Sequence, residues 1–282
     1  MLALLVVVLP ANASPVKLKP ETVEAWDEYI RIADARIQRR LDPGGPFLRI
    51  DEDPVLAARV RGLAIVVFPA VPNIPRKVPS GLIHDWIGAA FLPNATLHDI
   101  LPVVRDYGRY KDFYHPNVID SRSVETGESQ DRFSVVLMNK TLFSKTALDS
   151  DYQASYASLD GKRMYSVSRT TRIREIAGYG TANQRTLPEN EGTGLIWRLY
   201  SALRFEERDG GVYIEVEAIV LSRDIPAALR WMAEPIVRRV SRDSLTTALR
   251  QTEAAVRSAT AASLAARPEA APSKPVSAQS LR

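Results

Sequence analysis

Glu215 and Glu217 stand two residues apart in the alternating run Val212 to Leu221. In a strand they share one face about 7 Å apart, a spacing that suits paired-carboxylate acid/base chemistry. That face also carries Tyr213 and Ile219, while Val212, Ile214, Val216, Ala218 and Val220 form an apolar opposite face. The alternation therefore turns the glutamates away from an apolar interior, to solvent or to another layer. Arg169, Arg172 and Arg174, or Arg198 and Arg204, are the cations available to pair with them across a sheet. His84 and Asp85 are also an acid/base pair by type. Adjacent strand residues point to opposite faces, so the two do not work together. His84, His98 and His115 show no metal-ligand spacing, and the sequence has no cysteine. Thiolate chemistry, disulfides and cysteine-held metals are thereby excluded. Gly178-Tyr179-Gly180 lacks the third glycine of a dinucleotide fingerprint and reads as a loop. No phosphate-binding loop, nucleophile elbow or zinc-protease motif is present. The residues offer no catalytic set, no metal site and no cofactor motif.

What remains is chemistry of binding. In the strand Tyr165 to Arg174 one face reads Ser166, Ser168, Thr170, Arg172, Arg174. A cavity wall needs small side chains, so this face reads either as such a wall, with Arg172 near the polar head of a ligand, or as a plain outward Ser/Thr/Arg face. Trp86, Phe133, Trp197, Phe205 and Trp231 fall in elements that should surround the interior. Arg238, Arg239, Arg242 and Arg250 make one side of the last helix basic. That side suits a solvated face, or transient contact with anionic lipid headgroups. No aromatic side chains are interleaved with these arginines, which argues against nucleic acid.

The elements that must position these residues are legible from periodicity. Trp26, Ile30, Ala33 and Ile37 mark a helix over Glu21 to Leu41. Asp42-Pro43-Gly44-Gly45-Pro46 ends it. Arg59 to Phe68 reads as a strand, and the proline-rich run Pro69 to Pro79 follows. Leu82 to Phe91 is strand-like. Thr96 caps a helix through Ile100, Leu101, Val104 and Tyr107. Six further strands are expected: Asn117–Glu125, Arg132–Leu142, Thr146–Leu159, Arg163–Ile176, Leu195–Glu207 and Val212–Leu221. Asp160-Gly161 and Asp209-Gly210 supply hairpin turns. A long helix follows Asp224 and Pro226, with Leu229, Met232, Ile236, Val240, Leu245, Leu249 and Val256 at helical intervals. Pro235 is expected to kink it.

The ends differ from this body. Leu2 to Leu9 is an apolar run too short to cross a bilayer, and Ala11-Asn12-Ala13 follows it. The reading is a secretory signal over residues 1–13, cleaved after Ala13, which places the protein in the periplasm or outside the cell. Residues 14–79 form an N-terminal extension, 80–258 the principal domain and 259–282 an Ala/Pro/Ser-rich tail expected to be disordered. The 282 residues hold 37 Lys and Arg against 33 Asp and Glu, a net of +4. The tail, with Arg267, Lys274 and Arg282 against Glu269, carries +2 of that. The body is close to balanced.

Strand, short helices, a run of antiparallel strands and one long helix is the order of a curved antiparallel β-sheet gripping a C-terminal α-helix. This is an α+β, helix-grip class, here with an N-terminal helical extension. The residues Leu82-Ile83-His84-Asp85-Trp86, Thr96 to Tyr110 and Gly211 to Glu217 leading into Leu221-Ser222-Arg223-Asp224-Ile225-Pro226 resemble the START-like helix-grip superfamily. That superfamily includes polyketide cyclase/dehydrase-like and coenzyme Q-binding proteins. The resemblance covers roughly residues 81–258. It implies a carrier of a lipid or other hydrophobic small molecule, held between sheet and helix by Trp86, Phe133, Arg172, Trp197, Phe205, Met232 and Ile236. The alternatives are an enzyme of the cyclase/dehydrase kind, with Arg172 or Glu215 and Glu217 as acid/base groups, and an interaction module with a filled core. Oligomeric state is not legible.

Overall fold

The computed structural model describes residues 15–42, 44–140, 145–225 and 227–265, with the backbone alone for 139–140, 145, 227–230, 232–234 and 263–265. In chain order the elements are β1 (Val16–Lys17), α1 (Pro20–Gln38), a 3-10 turn (Arg49–Glu52), α2 (Pro54–Arg61), β2 (Val66–Pro69), β3 (Arg76–Val78) and β4 (Gly81–Pro93). Then come α3 (Leu97–Val104), a 3-10 turn (Tyr107–Arg109), α4 (Tyr110–Phe113), β5 (Val118–Thr126), β6 (Gln130–Lys140), β7 (Lys145–Asp160) and β8 (Arg163–Ala177). The chain continues through β9 (Arg185–Thr186), β10 (Glu191–Gly192), β11 (Arg198–Arg208), β12 (Gly211–Arg223) and α5 (Ala227–Ala265).

The main sheet is antiparallel with order β2-β4-β12-β11-β8-β7-β6-β5, while β3 adds to β4 and β9 to β8. One apolar cluster joins β4 on one side to β5 and β6 on the other through α3, α4 and α5. The sheet therefore wraps around the inner face of α5, and the protein is an α+β helix-grip fold. Gly88 makes the close approach of the helix feasible: a Cβ there would lie 2.9 Å from Leu249 Cδ1 and 3.7 Å from Leu245 Cβ. Val237, Ser241, Leu245, Ala248, Leu249, Thr252, Ala255 and Val256 form the buried stripe of α5.

The N-terminal segment belongs to the sheet it was expected to flank. It contributes β2 and β3, and α1 covers the face opposite α5. Trp26, Tyr29, Ala33 and Ile37 pack on Ile83, Tyr200, Ala202, Ile219 and Leu221. Phe47, Leu48, Ile50 and Val60 pack on Ala89, Phe91 and Tyr213. The strand expected from Arg59 begins only at Val66. Asp53 accepts bonds from the Val55 and Leu56 N–H groups and Pro54 opens a helix, so Arg59 to Arg61 complete α2 instead. At the other end α5 runs to Ala265, so the first residues of the segment expected to be disordered are helical. The proposed signal run and the rest of the tail lie outside the described residues.

Candidate functional site

The face turned toward α5, here called concave, is built by alternation. One row of cross-strand neighbours runs Trp86, Ala218, Ser201, Ser168, Ala154, Asp131 over six strands. Its middle is made of small side chains, and its two ends are large or charged. The Ser168 and Ser201 hydroxyls bond each other at 2.9 Å. At the Asp131 end the carboxylate is fully buried and fully satisfied. It accepts from Arg105 at 2.9 and 2.7 Å, from the Tyr107 hydroxyl at 2.9 Å and from the Gly127 N–H at 3.1 Å. Tyr107 stacks on Phe133 at 4.0 Å, and Phe133 stacks on Tyr152 at 4.9 Å. This ladder of rings walls the β6–β7 side.

Four buried polar groups on the inner side have no hydrogen-bond partner: Trp86 Nε1, Ser150 Oγ, Tyr152 OH and Ser241 Oγ. Ser150 lies beside Tyr152, without a bond of good geometry. Burial pushes the Tyr152 hydroxyl above its ordinary range, so it stays neutral. Ser241 is on the buried stripe of α5. Leu245 and Leu249 lie over Gly88, and Val256 lines a cleft with Leu92 and Pro93, so α5 and β4 run the same way. With rises of about 1.5 Å in a helix and about 3.3 Å in a strand, Ser241 falls near the level of Trp86. His84, one step further along the same face, bonds Ser222 Oγ through Nε2 at 3.0 Å and leaves Nδ1 unpaired. Burial depresses its pKa to about 4, so it too is neutral.

Apart from the Asp131–Arg105 pair, a second and larger group of charged side chains gathers on the other, convex face, under the N-terminal segment. Arg204 and Glu215 are fully buried and meet at 2.9 Å, and Arg204 reaches Glu217 at 3.4 Å. Glu215 also accepts from the backbone N–H groups of Arg49 at 2.9 Å and Ile50 at 3.1 Å. Arg36 of α1 pairs with Glu217 and, at 2.9 Å, with Asp85. Tyr29 donates to Asp85 at 2.8 Å. Burial, reinforced by the Glu217 charge and opposed by Arg36, raises the Asp85 carboxyl to about 7. Desolvation works against the Arg204 charge, but Glu215 and Glu217 outweigh it and leave its pKa raised.

Three expectations are corrected here. Arg172 does not point inward. Asp151 pairs with Arg172 but Tyr152 pairs with Thr170, which leaves Thr171 as an extra residue in β8. That bulge inverts the alternation. Ser166, Ser168 and Thr170 face inward, then Ile173, while Arg172 turns outward to Asp151 at 2.7 Å and Asp149 at 3.1 Å. Trp197 is buried on the convex side with Trp26 and Tyr29. Ile236 is 46% exposed and Trp231 78% exposed, so neither lines the interior. Trp86, Phe133 and Phe205 are buried on the concave face. The side chain of Met232 lies outside the described residues. Neither Arg172 nor the Glu215/Glu217 pair faces the concave side, so the acid/base groups considered for an enzyme are separated from that interior by the sheet. Sequence reading passed over Ser150, Tyr152 and Ser241. The first two were visible as the small-and-apolar register Leu148, Ser150, Tyr152, Ala154 against the polar Asp149, Asp151, Gln153.

Among the described residues no group of His, Asp or Glu is placed to hold a metal ion, and no helix is long and apolar enough to cross a membrane. The structure is similar to a STAR-related lipid transfer protein from Xanthomonas axonopodis, with 15% identity and a TM-score of 0.42 over 70% of this chain and 99% of that one. It is similar to human STARD10, with 8% identity and a TM-score of 0.44 over 80% and 87% of the chains. It is also similar to the Zhui aromatase/cyclase from Streptomyces, with 13% identity and a TM-score of 0.37 over 63% and 98%. No protein-family model matches the chain, and no curated protein matches it. The assignment of the fold rests on the strand order and the long helix of the chain itself.

Proposed function

We propose that the protein binds a lipid or other hydrophobic small molecule between the concave face of the sheet and α5, and carries it outside the cytoplasm. The observation that supports this is the set of unpartnered neutral groups, Trp86 Nε1, Ser150 Oγ, Tyr152 OH and Ser241 Oγ, set among apolar side chains and polar groups that are bonded to one another, such as Asp131 with Arg105 and Ser168 with Ser201. A buried polar group without a partner costs about 1–3 kcal/mol. A ligand whose polar end supplies partners recovers that cost, and apolar burial supplies its affinity. The small row Ala218, Ser201, Ser168, Ala154 marks the part of the wall with the least side-chain bulk. The resemblance in the sequence implies the same class of ligand. Export is supported by the apolar run Leu2 to Leu9 and the Ala11-Asn12-Ala13 triplet.

Native mass spectrometry of gently purified protein, with organic extraction of the same sample, tests the binding reading. The expected result is a bound apolar species of defined mass. A homogeneous unliganded mass, together with no uptake of an added fluorescent fatty acid or sterol, overturns it. Export is tested by the intact mass of the protein recovered outside the cytoplasm, which should begin at Ser14.

A further inference from the structure

His84 and Trp86 stand two residues apart on the concave face of β4, 0% and 4% exposed. Each keeps one ring nitrogen without a partner, Nδ1 of His84 and Nε1 of Trp86. Ser241 of α5, also unpartnered, stands near their level. The proton on His84 can be placed from its neighbour. Ser222 Oγ donates to the Arg223 carbonyl at 3.3 Å, so it accepts from His84 Nε2–H at 3.0 Å. A neutral imidazole carries one such proton, which leaves Nδ1 a bare acceptor. The indole N–H can only donate. This end of the interior thus offers one acceptor, one donor and, in Ser241, a hydroxyl that serves as either.

The charges of the same face narrow what can meet these groups. Among the described residues, the inward registers of the strands carry three carboxylates, and each is already bonded. Asp131 accepts from Arg105 and Tyr107, Glu175 from the Thr193 N–H and hydroxyl, and Glu207 from the Leu97 N–H. None of the three lies on β4, β12 or the buried stripe of α5. Arg105 is the cation of this face, and Asp131 holds it. A carboxylate or phosphate head beside His84 would be buried without a countercharge and would turn lone pairs toward Nδ1. An ammonium head there would be buried without a carboxylate. Ethers, esters and ketones accept from the indole but leave Nδ1 unused. We propose that the guest presents an uncharged alcohol to this end, donating its hydroxyl proton to His84 Nδ1 and accepting from the Trp86 N–H. The inference rests on the binding reading and names the head group which that reading leaves open.

Hexadecanol, its methyl ether, hexadecanoate and hexadecylammonium share one chain and differ in the head. Each competes with bound Nile red at about pH 8, where the acid is ionised and the amine protonated. Hexadecanol should displace the dye at roughly tenfold lower concentration than the ether, and both ions should be weaker than the ether. His84→Leu should abolish the advantage of the alcohol and leave the ether as it was. Trp86→Phe should weaken alcohol and ether by a similar factor, because both accept from the indole. Circular dichroism checks that each variant is folded, and the series on the unsubstituted protein decides alone where one is not. An alcohol no tighter than its ether overturns the proposal. So does an ion that binds as tightly as the alcohol, or an advantage that survives in folded His84→Leu. In each of these outcomes uptake persists and the binding reading stands. Failure of the dye and all four chains to bind overturns that reading, and the proposal with it.

Discussion

His84 and Asp85 are neighbours in β4, yet they belong to two different interiors. His84 faces α5 and is held neutral, with its pKa near 4, by burial. Asp85 faces the N-terminal segment, where burial raises it to about 7 while Arg36 and Tyr29 bond the carboxylate. The same contrast holds across the whole sheet. On the convex face the unpartnered atoms, such as Asp85 Oδ1 and one Arg204 nitrogen, belong to groups bonded through their other atoms. On the concave face whole groups are left over: the one donor of the Trp86 side chain and the hydroxyls of Ser150, Tyr152 and Ser241. A buried charge must be partnered at once or the fold is lost, whereas a neutral group without a partner is tolerated at modest cost. The convex side is therefore a finished interior, closed by the chain itself, and the concave side is one with bonding capacity to spare.

The largest effect that sharpens this contrast is on the finished side. Arg204→Met leaves Glu215 and Glu217 buried without their shared cation and should cost about 3–5 kcal/mol in urea unfolding. Adding Glu215→Gln and Glu217→Gln should restore most of it. A neutral single substitution would mean that the convex charges do not hold the sheet to the N-terminal segment.

The sequence showed the two faces of β12 and even named Arg204 as a partner for the glutamates, because alternation fixes which side chains share a face. It did not show that a third layer seals them. That depends on Phe47, Leu48 and Ile50 arriving from outside the recognisable domain, a tertiary fact with no local signature. Arg172 was misplaced for a different reason. A period of two carries no warning of one extra residue, and Thr171 shifts every side chain beyond it to the other face. The exposure of Trp231 and Ile236 was hidden because an apolar residue at a helical interval reads as core whichever side of the helix is covered. That Trp86, Phe133 and Phe205 face inward was legible, since β4, β6 and β11 carry no extra residue to invert their alternation.

The second effect bears on how closely α5 is held. Gly88→Val places a branched side chain where a single Cβ already meets Leu249 at 2.9 Å. It should lift the helix and cost about 1–3 kcal/mol, read as a lower Tm. An unchanged Tm would show that α5 has room to move off the concave face.

The third effect sets the two faces against each other. The native state keeps a proton on Asp85 that the unfolded chain releases between its ordinary value of 3.8 and about 7. Stability from this group is full below that window and is lost as pH rises through it. The native state refuses a proton at His84 that the unfolded chain takes up below 6.5, down to about 4. Its contribution is full above that window and is lost as pH falls. The slopes oppose between about pH 4 and 6.5, each up to about 1.4 kcal/mol per pH unit. His84→Gln should therefore tilt stability downward with rising pH relative to the unsubstituted protein, and Asp85→Asn should tilt it upward. Urea unfolding at several pH values reads both. Equal slopes in the two variants would break the assignment of one titrating group to each face.

The smallest effect tests the unfinished side. Tyr152→Phe keeps the ring stacked on Phe133 and removes only a hydroxyl that has no partner. Deleting a satisfied hydroxyl costs about 1 kcal/mol, but deleting an unsatisfied one is neutral or stabilising. The unliganded protein should thus be as stable as before or up to about 1 kcal/mol more so. Uptake of an apolar ligand with a hydrogen-bonding head should fall, by about tenfold if the lost bond is worth about 1.4 kcal/mol. A destabilised variant with unchanged uptake would assign the hydroxyl to the structure, and the concave face would then be as complete as the convex one. Higher stability with weaker uptake is the signature of a group kept for a guest, because only a bonding site that the folded chain leaves unused is improved in one respect and impaired in the other by the same deletion.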